Sequence, residues 1–200
     1  LLQQVLTFAH PADAVVSRYF RQHRNLGPRE RAPLAETVYN VLRKKPLLEQ
    51  LARSGSGPKE RRLAILGFHG PRDFLKTALT PQERAWVDEC DAVPEADLME
   101  PQRHNLPQWL AEPLKAQLGA AFWPLARSLQ EAAPLDLRVN ILMAKREEIS
   151  QELAQAAIQT VATPYSPWGL RVQGKPALTR VPAFVRGAIE VQDEGSQLLA

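Results

Sequence analysis

The spacing of apolar residues changes at Pro134, and this change limits the fold more than any other feature of the chain. Before it, apolar residues recur every three or four positions, as over residues 12–20, which is the spacing of one helix face. After it, apolar and polar residues alternate over residues 135–142, as in a half-buried strand. We therefore predict two domains, an all-helical one over residues 1–132 and a small α/β one over residues 133–200.

The first domain is predicted to hold five to seven amphipathic helices with short connections, which describes a helical bundle. One of them covers residues 28–45, and Pro46 is predicted to kink it or end it, because proline lacks the N–H for a helical hydrogen bond and clashes with the preceding turn. Another starts at Thr80, which can form a capping box with Glu83. The acidic stretch over residues 88–100 is interrupted by proline and predicts a loop.

The second domain is predicted to hold three strands and one helix. The first strand begins at Leu135, the helix covers residues 147–158, and the other strands lie around residues 170–172 and 189–192. Strand, helix, strand and strand in this order form a small α/β unit.

Aromatic residues are predicted to serve differently in the two domains. Trp86, Trp109 and Trp123 stand at helical spacing with leucines and are predicted to lie in the core. The aromatic residues of the second domain allow two interpretations, core packing or stacking on unpaired RNA bases. They are Tyr165, Trp168 and Phe184.

Composition argues against several classes of protein. The single cysteine, Cys90, excludes an internal disulfide framework and suits a reducing cytoplasm, which is the predicted location. No apolar run approaches the roughly 20 residues that cross a bilayer, so no membrane partner is expected. One cysteine and four histidines are too scattered for a zinc site, so no metal is expected.

Basic residues are concentrated in one segment of the first domain. Residues 18–62 contain twelve Lys and Arg against four Asp and Glu, residues 63–134 contain six against ten, and residues 135–200 contain seven against seven. A basic face of this kind favours a polyanion such as RNA, whose phosphates suit the planar arginine fork. The alternative is an ordinary solvated helix surface. The candidate RNA-binding residues are Arg18, Arg21, Arg24, Arg29, Arg31, Arg43, Lys44, Lys45, Arg61 and Arg62.

Arg18, Arg21 and Arg24 recur at every third position and are predicted to share one helical face. Replacing all three by Ala is expected to weaken binding to every RNA alike and to flatten its salt dependence. The same change at three basic residues of the charge-balanced domain is expected to matter less. Those residues are Arg171, Lys175 and Arg180.

Several segments, in the same order along the chain, resemble one known family. The last of them, EVQDEGSQLLA, is a short strand followed by a turn and the first turn of a helix. Together they resemble the Sun-type (Fmu-type) bacterial ribosomal RNA cytosine-C5 methyltransferases. The matching segments are residues 11–20, 26–31, 35–43, 135–140, 181–187 and 190–200.

The resemblance implies an architecture and an activity. Proteins of this family have a NusB-like helical domain, a small α/β domain and then an S-adenosylmethionine-binding Rossmann-like domain with the cysteine nucleophile. The expected fold is therefore a NusB-like all-helical bundle followed by a small α/β domain that leads into a missing Rossmann-like methyltransferase domain. The implied parent is a cytoplasmic, monomeric enzyme that binds ribosomal RNA and uses S-adenosylmethionine as its cofactor.

The chain alone is expected to be inactive and to bind no cofactor. Cys90 lies among carboxylates, which raise a thiol pKa and make a poor nucleophile, and it matches no cysteine motif of the family. The glycines form no Gly-rich turn between a strand and a full helix, as a nucleotide-binding sheet requires. No catalytic or cofactor-binding residue is therefore assigned.

Gln192, Asp193 and Ser196 lie in the segment that, by the resemblance, leads into the catalytic domain. A hinge role is predicted for them, and direct cofactor contact is the alternative. A local interpretation is compatible with both, namely that Asp193 or Ser196 is the N-cap of the helix that follows.

Two other functions remain open at this point. A stand-alone NusB-like module acting in transcription antitermination would bind RNA or protein, but it would end near Pro134 and leave the α/β domain unexplained. A helical protein-interaction adaptor would expose an apolar patch instead of a basic one.

Overall fold

A computed structural model describes residues 1–174 and 176–200; Lys175, one of the basic residues of the charge-balanced domain, lies outside them. The chain divides into two compact units, residues 1–131 and residues 132–200. We call them the helical unit and the sheet unit. Within the described residues, no helix is long and apolar enough to span a membrane.

The helical unit, all of whose residues are described, is built from α-helices with short connections. These are α1 (Leu2–Val5), α2 (Ala12–Gln22), α3 (Pro28–Arg43), α4 (Lys45–Leu51), α5 (Lys59–Leu66), α6 (Arg72–Thr77), α7 (Pro81–Asp91), α8 (Glu100–His104), α9 (Gln108–Leu118) and α10 (Phe122–Leu129). Short 3-10 turns lie at Ala52–Ser54, Glu95–Asp97 and Gly119–Ala121. The expectation of an all-helical first part is confirmed, but the predicted number of five to seven helices is too low. This unit has ten, among which α6 and α8 are six residues long or shorter, too short for a clear apolar stripe.

Apolar faces of α1 to α7 meet in one core, in which Val41, Leu63 and Val87 are fully buried. The predicted start of α7 is confirmed, because the Thr80 hydroxyl accepts from the Glu83 N–H at 3.2 Å and the Glu83 carboxylate accepts from the Thr80 N–H at 2.9 Å. This reciprocal cap depends only on local sequence.

Two predicted helix boundaries are wrong. The third helix ends at Arg43 instead of continuing to residue 45, because Lys44 leaves helical geometry at φ −110° and ψ 25°. Pro46 then lies in the first turn of α4, where its missing N–H costs nothing. The stretch over residues 88–100 is only in part a loop, because α7 continues to Asp91.

The prediction that Trp109 is a core residue is also wrong, since 75% of Trp109 is exposed. Helix α9 buries Ala111 and packs Leu114 and Leu118 against a small second core. Trp109 lies about 180° around the helix from Ala111 and Leu118, given 3.6 residues per turn. Trp86, by contrast, is buried as predicted.

The sheet unit contains a four-stranded antiparallel sheet in the order β2-β3-β1-β4. Its strands are β1 (Leu135–Val139), β2 (Thr160–Ala162), β3 (Gly169–Val172) and β4 (Ile189–Val191), and its helices are α11 (Arg146–Gln155), α12 (Pro182–Val185) and α13 (Glu194–Leu199). Leu137 and Val139 of β1 pack with Ile149 and Leu153 of α11 in the core of this unit.

Three details of the sheet unit differ from the prediction. Helix α12 was not predicted, because four residues form about one turn and are too few to establish a helical spacing. Strand β2 was not predicted, because three residues at the sheet edge are too few to establish a period. Helix α11 ends at Gln155 instead of residue 158, because Ala157 has a φ of +59° that no helix accommodates. The reversal at Ala157 brings Ile158 back into the core.

Candidate nucleic-acid interface

The basic residues predicted to bind RNA lie in the segment from α2 to α5. Arg18 and Arg21 are exposed and three residues apart on α2, so they share one helix face. The prediction that Arg24 shares this face is wrong. Helix α2 ends at Gln22, and His23 leaves helical geometry at φ −108° and ψ 68°. Arg24 is exposed in the turn that follows.

Two of the candidate arginines support the backbone of the helical unit. The Arg31 Nε donates to the Leu26 carbonyl at 2.8 Å, and its guanidinium lies 5.5 Å from the centre of the Phe20 ring. Arg62 donates through Nη1 to two backbone carbonyls, one of them that of Gly55 at 2.9 Å. These guanidinium groups are held by the protein itself and are less available to a ligand.

Arg61 is occupied by an ion pair. It donates two hydrogen bonds to the Glu83 carboxylate, at 2.7 and 3.0 Å. The hydrogen bond from Arg61, together with the one from the Thr80 backbone, lowers the pKa of Glu83 to about 2. Arg61 therefore connects α5 to the cap of α7.

Glu49 of α4 accepts from two lysines, Lys45 at 3.0 Å and Lys59 at 2.7 Å. Burial alone would raise the pKa of Glu49, but the hydrogen bonds from these two ammonium groups outweigh it and lower the pKa. Because this single carboxylate pairs with two ammonium groups, a net positive charge remains around Glu49.

The remaining six candidates keep their charges available. Within the described residues, their side chains form no hydrogen bond or ion pair that would neutralise them. Arg53, which the sequence analysis did not single out, is exposed and belongs with them. The set consists of Arg18, Arg21, Arg24, Arg29, Arg43, Lys44 and Arg53, and we call it the open basic set.

Neither a nucleophile nor a metal site accompanies these cations. Cys90 is buried, and burial, followed by the charges of Asp91 and Glu89, raises the pKa of its thiol. The predicted direction is confirmed, although burial is the larger cause. Among the described residues, no group of three or more His, Cys, Asp and Glu could hold a metal ion.

The three lead-in residues of the sheet unit hold the start of α13. The Asp193 carboxylate accepts from the Ser196 N–H at 3.3 Å, so Asp193 is the N-cap and Ser196 is not. The Gln192 N–H donates to the Asp136 carbonyl at 3.1 Å, and the Gln192 carbonyl accepts from Gln197 at 2.8 Å.

Helix α13 is joined to the sheet unit by a buried carboxylate that the sequence analysis missed. Glu194 accepts from the backbone N–H groups of Tyr165 at 2.6 Å and Ser166 at 2.9 Å. Burial alone would raise the pKa of Glu194, but these two backbone hydrogen bonds, together with the Thr163 side chain and the charge of Arg171, outweigh it and lower the pKa. Gln197, one turn further along, accepts from the Ser166 hydroxyl at 2.7 Å.

A second carboxylate, Asp136 of β1, is almost completely buried, although the alternation of β1 predicted an exposed side chain. Arg171 lies opposite it in the sheet register and donates two hydrogen bonds to it, at 2.8 and 2.9 Å. The same guanidinium lies 3.7 Å from the Glu194 carboxylate. The pair of Asp136 and Arg171 could not be inferred from spacing, because it depends on which strands are neighbours.

Two of the three aromatic residues considered for base stacking are open to solvent. Tyr165 is 76% exposed and Trp168 is 40% exposed, whereas Phe184 packs against the core. Trp168 also lines a cleft of about 520 Å³ together with Arg138 and other residues of β1 and β4.

Comparison with known proteins relates the chain to ribosomal RNA methyltransferases. Residues 106–179 match the family described as Methyltr_RsmF/B-like, ferredoxin-like domain. A probable ribosomal RNA small subunit methyltransferase B from Synechocystis sp. is 28% identical over 94% of this chain and 50% of its own length. A ribosomal RNA small subunit methyltransferase B from Xylella fastidiosa (strain 9a5c) is 29% identical over 86% of this chain and 46% of its own length.

Among solved structures, the crystal structure of PH0851 superposes with a TM-score of 0.65 at 21% identity, covering 98% of this chain and 52% of that chain. This similarity shows a shared fold. The chain spans about half the length of the curated relatives it matches. These findings confirm the family resemblance read from the sequence.

Proposed function

We propose that this chain is the RNA-recognition part of a ribosomal RNA (cytosine-C5) methyltransferase. The premise is its similarity to the N-terminal part of the Sun-type methyltransferases. The observation that carries the proposal is the similarity, over nearly the whole chain, to proteins named ribosomal RNA small subunit methyltransferase B. The helical unit would be a NusB-like domain, and the sheet unit would precede the catalytic domain.

The open basic set supports a role in RNA binding. Its members are exposed or half-exposed cations that have no neutralising partner in the part of the chain that the structure describes, and they are concentrated where the excess of positive charge is largest. Contacts between such residues and phosphates provide affinity and orientation without reading the base sequence. The helical unit would therefore hold the ribosomal RNA while another domain performs the chemistry.

In this proposal the methyl donor, S-adenosylmethionine, and the attacking thiolate belong to the catalytic domain of the parent enzyme. The only thiol of this chain is buried with a raised pKa, which makes it a poor nucleophile. The 200 residues alone are proposed to bind no cofactor and to transfer no methyl group. The parent enzyme is proposed to be cytoplasmic and to act as a monomer.

The alternative of a stand-alone NusB-like module in antitermination fits less well. Such a module requires only the helical unit. The match to the methyltransferase ferredoxin-like domain continues into the sheet unit, up to residue 179. The methyltransferase interpretation accounts for both units.

The proposal is tested by RNA binding with the purified chain. Fluorescence anisotropy with a labelled fragment of small-subunit ribosomal RNA is expected to show an affinity that falls steeply with salt, with a log–log slope of about −0.7 to −0.9 per neutralised phosphate. Changing Arg18, Arg21 and Arg24 together to Ala should lower the affinity roughly tenfold and reduce the slope by about two to three.

A matched control is a triple Ala variant of three other exposed cations that form no ion pair within the described residues, Arg127, Lys145 and Arg180. It removes the same charge from outside the basic segment and should leave most of the affinity intact. Equal losses from both variants, or no salt-dependent binding by the unmodified chain, would count against the proposed RNA-binding role.

A further inference from the structure

Phe8, which follows α1, has an unusual backbone conformation for a bulky residue on the surface. Its φ is +54°, in the left-handed region that residues with a Cβ rarely adopt. Its side chain is 63% exposed, so burial of the ring does not offset the strain. Strained residues of this kind persist where the surrounding structure fixes them, and they cluster at sites of ligand contact.

Local hydrogen bonds fix the turn around Phe8. Its N–H donates to the Val5 carbonyl at 3.1 Å. The Thr7 hydroxyl donates to the Gln4 carbonyl at 2.8 Å and accepts from the Ala9 N–H at 3.4 Å. None of these bonds involves an atom of the ring. The turn therefore exposes the ring to solvent, and its own conformation does not depend on the ring.

The ring lies beside cations. The Lys45 ammonium lies 5.9 Å from the centre of the Phe8 ring, and both residues line a cleft of about 350 Å³ together with Lys59. A second cleft, of about 400 Å³, is lined by Arg53 and Arg62.

Glu49 and Lys59 line both clefts, so the two clefts adjoin. Together they present three cations that a ligand can reach, Lys45, Arg53 and Lys59, against two carboxylates, Glu49 and Glu60. The guanidinium of Arg62, which also lines the second cleft, is held by backbone carbonyls. Apart from Phe8, the larger side chains of the lining are mostly polar or charged, which suits a polyanion better than an apolar peptide.

We propose that Phe8 stacks on an unpaired base of single-stranded RNA whose phosphates are held by the cations of these two clefts. An aromatic ring beside a basic groove is the arrangement by which proteins bind single strands, because every base offers a π-face and the cations follow the backbone. The inference rests on the proposed RNA-binding function and adds a base contact to it.

The experiment compares two labelled ligands by fluorescence anisotropy, a short oligouridine and the same sugar–phosphate chain without bases. The unmodified chain should bind oligouridine more tightly than the abasic chain. Phe8→Ala should weaken oligouridine binding roughly 5- to 100-fold, since a stacked base contributes that much, while leaving the abasic affinity and the salt slope unchanged. Phe8→Trp should keep the binding.

Two variants guard against an effect of folding. Phe8→Gly relieves the backbone strain, because glycine adopts a positive φ freely. This variant should lose oligouridine binding as Phe8→Ala does, and its melting temperature should not fall. Phe74→Ala removes a phenylalanine that is 68% exposed and lies in residues 63–134, where acidic residues outnumber basic ones, and this variant should bind as the unmodified chain does.

The outcomes separate this inference from the proposed function. If the unmodified chain binds oligouridine in a salt-dependent manner but Phe8→Ala and Phe8→Gly bind equally well, the stacking role is wrong and the phosphate-binding role stands. The same holds if the abasic chain binds as tightly as oligouridine. If neither ligand nor structured ribosomal RNA binds even at low salt, the proposed RNA-binding function fails as well.

Discussion

The open basic set of the helical unit and two paired arginines of the sheet unit are used in opposite ways. In the sheet unit, Arg171 and Arg186 each donate two hydrogen bonds to a carboxylate, that of Asp136 and that of Glu152. In the helical unit, the open basic set has no such partners within the described residues. The contrast shows that cations can stabilise a fold in one place and remain free for a ligand in another.

The difference has a physical basis in where each charge lies. A carboxylate as deeply buried as Asp136 requires a partner, because an unpaired charge away from water is costly. An exposed guanidinium such as that of Arg18 is hydrated and gains little from an ion pair. The absence of partners on α2 therefore costs the fold little and leaves charge for an external anion.

The largest effect that would test this contrast is expected from Asp136→Ala. Removing the buried carboxylate leaves Arg171 without its partner. We expect the free energy of unfolding of the sheet unit to fall by roughly 2 to 3 kcal/mol, less than for a fully buried pair because Arg171 is partly exposed. Denaturant unfolding followed by far-ultraviolet circular dichroism measures it. The control Glu147→Ala, at an exposed carboxylate, should change stability by less than about 0.5 kcal/mol.

A smaller effect is expected from the ion pair of Arg61 and Glu83. The pKa of Glu83 is lowered from 4.5 to about 2, so the pair stabilises the fold above pH 4.5 and loses its contribution as the pH falls towards 2. Arg61→Ala should therefore cost about 0.5 kcal/mol near neutral pH and almost nothing near pH 2. Arg127→Ala should show no such pH dependence, and a constant loss across this range would contradict the assignment.

The smallest effect on stability is expected from the triple change of Arg18, Arg21 and Arg24 to Ala. Because these cations repel one another and have no partners, the free energy of unfolding should stay within about 0.5 kcal/mol of the unmodified value or rise slightly. Thermal melts at low salt measure it. A loss above about 1 kcal/mol would show that these residues support the fold and would remove the contrast between the units.

Features set by neighbouring residues in the chain could be predicted, and features set by distant ones could not. The capping box of Thr80 and Glu83 depends on four consecutive residues and was found correctly. The exposure of Trp109 depends on which face of α9 meets a neighbour, and the burial of Asp136 depends on its pairing with β3. Spacing alone carries no information about either.

The candidate interface was predictable to the same extent. Charge counting located the basic segment, but it could not tell that Arg31 and Arg62 support backbone carbonyls or that Arg61 is paired. One signal for Phe8 did exist: Leu2, Val5, Leu6 and Ala9 recur at helical spacing, and Phe8 stands outside the stripe that they form. Its positive φ is visible only in the folded chain.

The position of Cys90 offers a built-in reporter for one unit. It is the only thiol in the sequence and lies in the core of the helical unit, with its sulfur 3.8 Å from the Leu51 carbonyl. A maleimide can react with it only when that core opens, so the rate of labelling follows the opening of the helical unit and is silent about the sheet unit. The opening of the helical unit can thus be timed separately from that of the sheet unit without adding a probe residue.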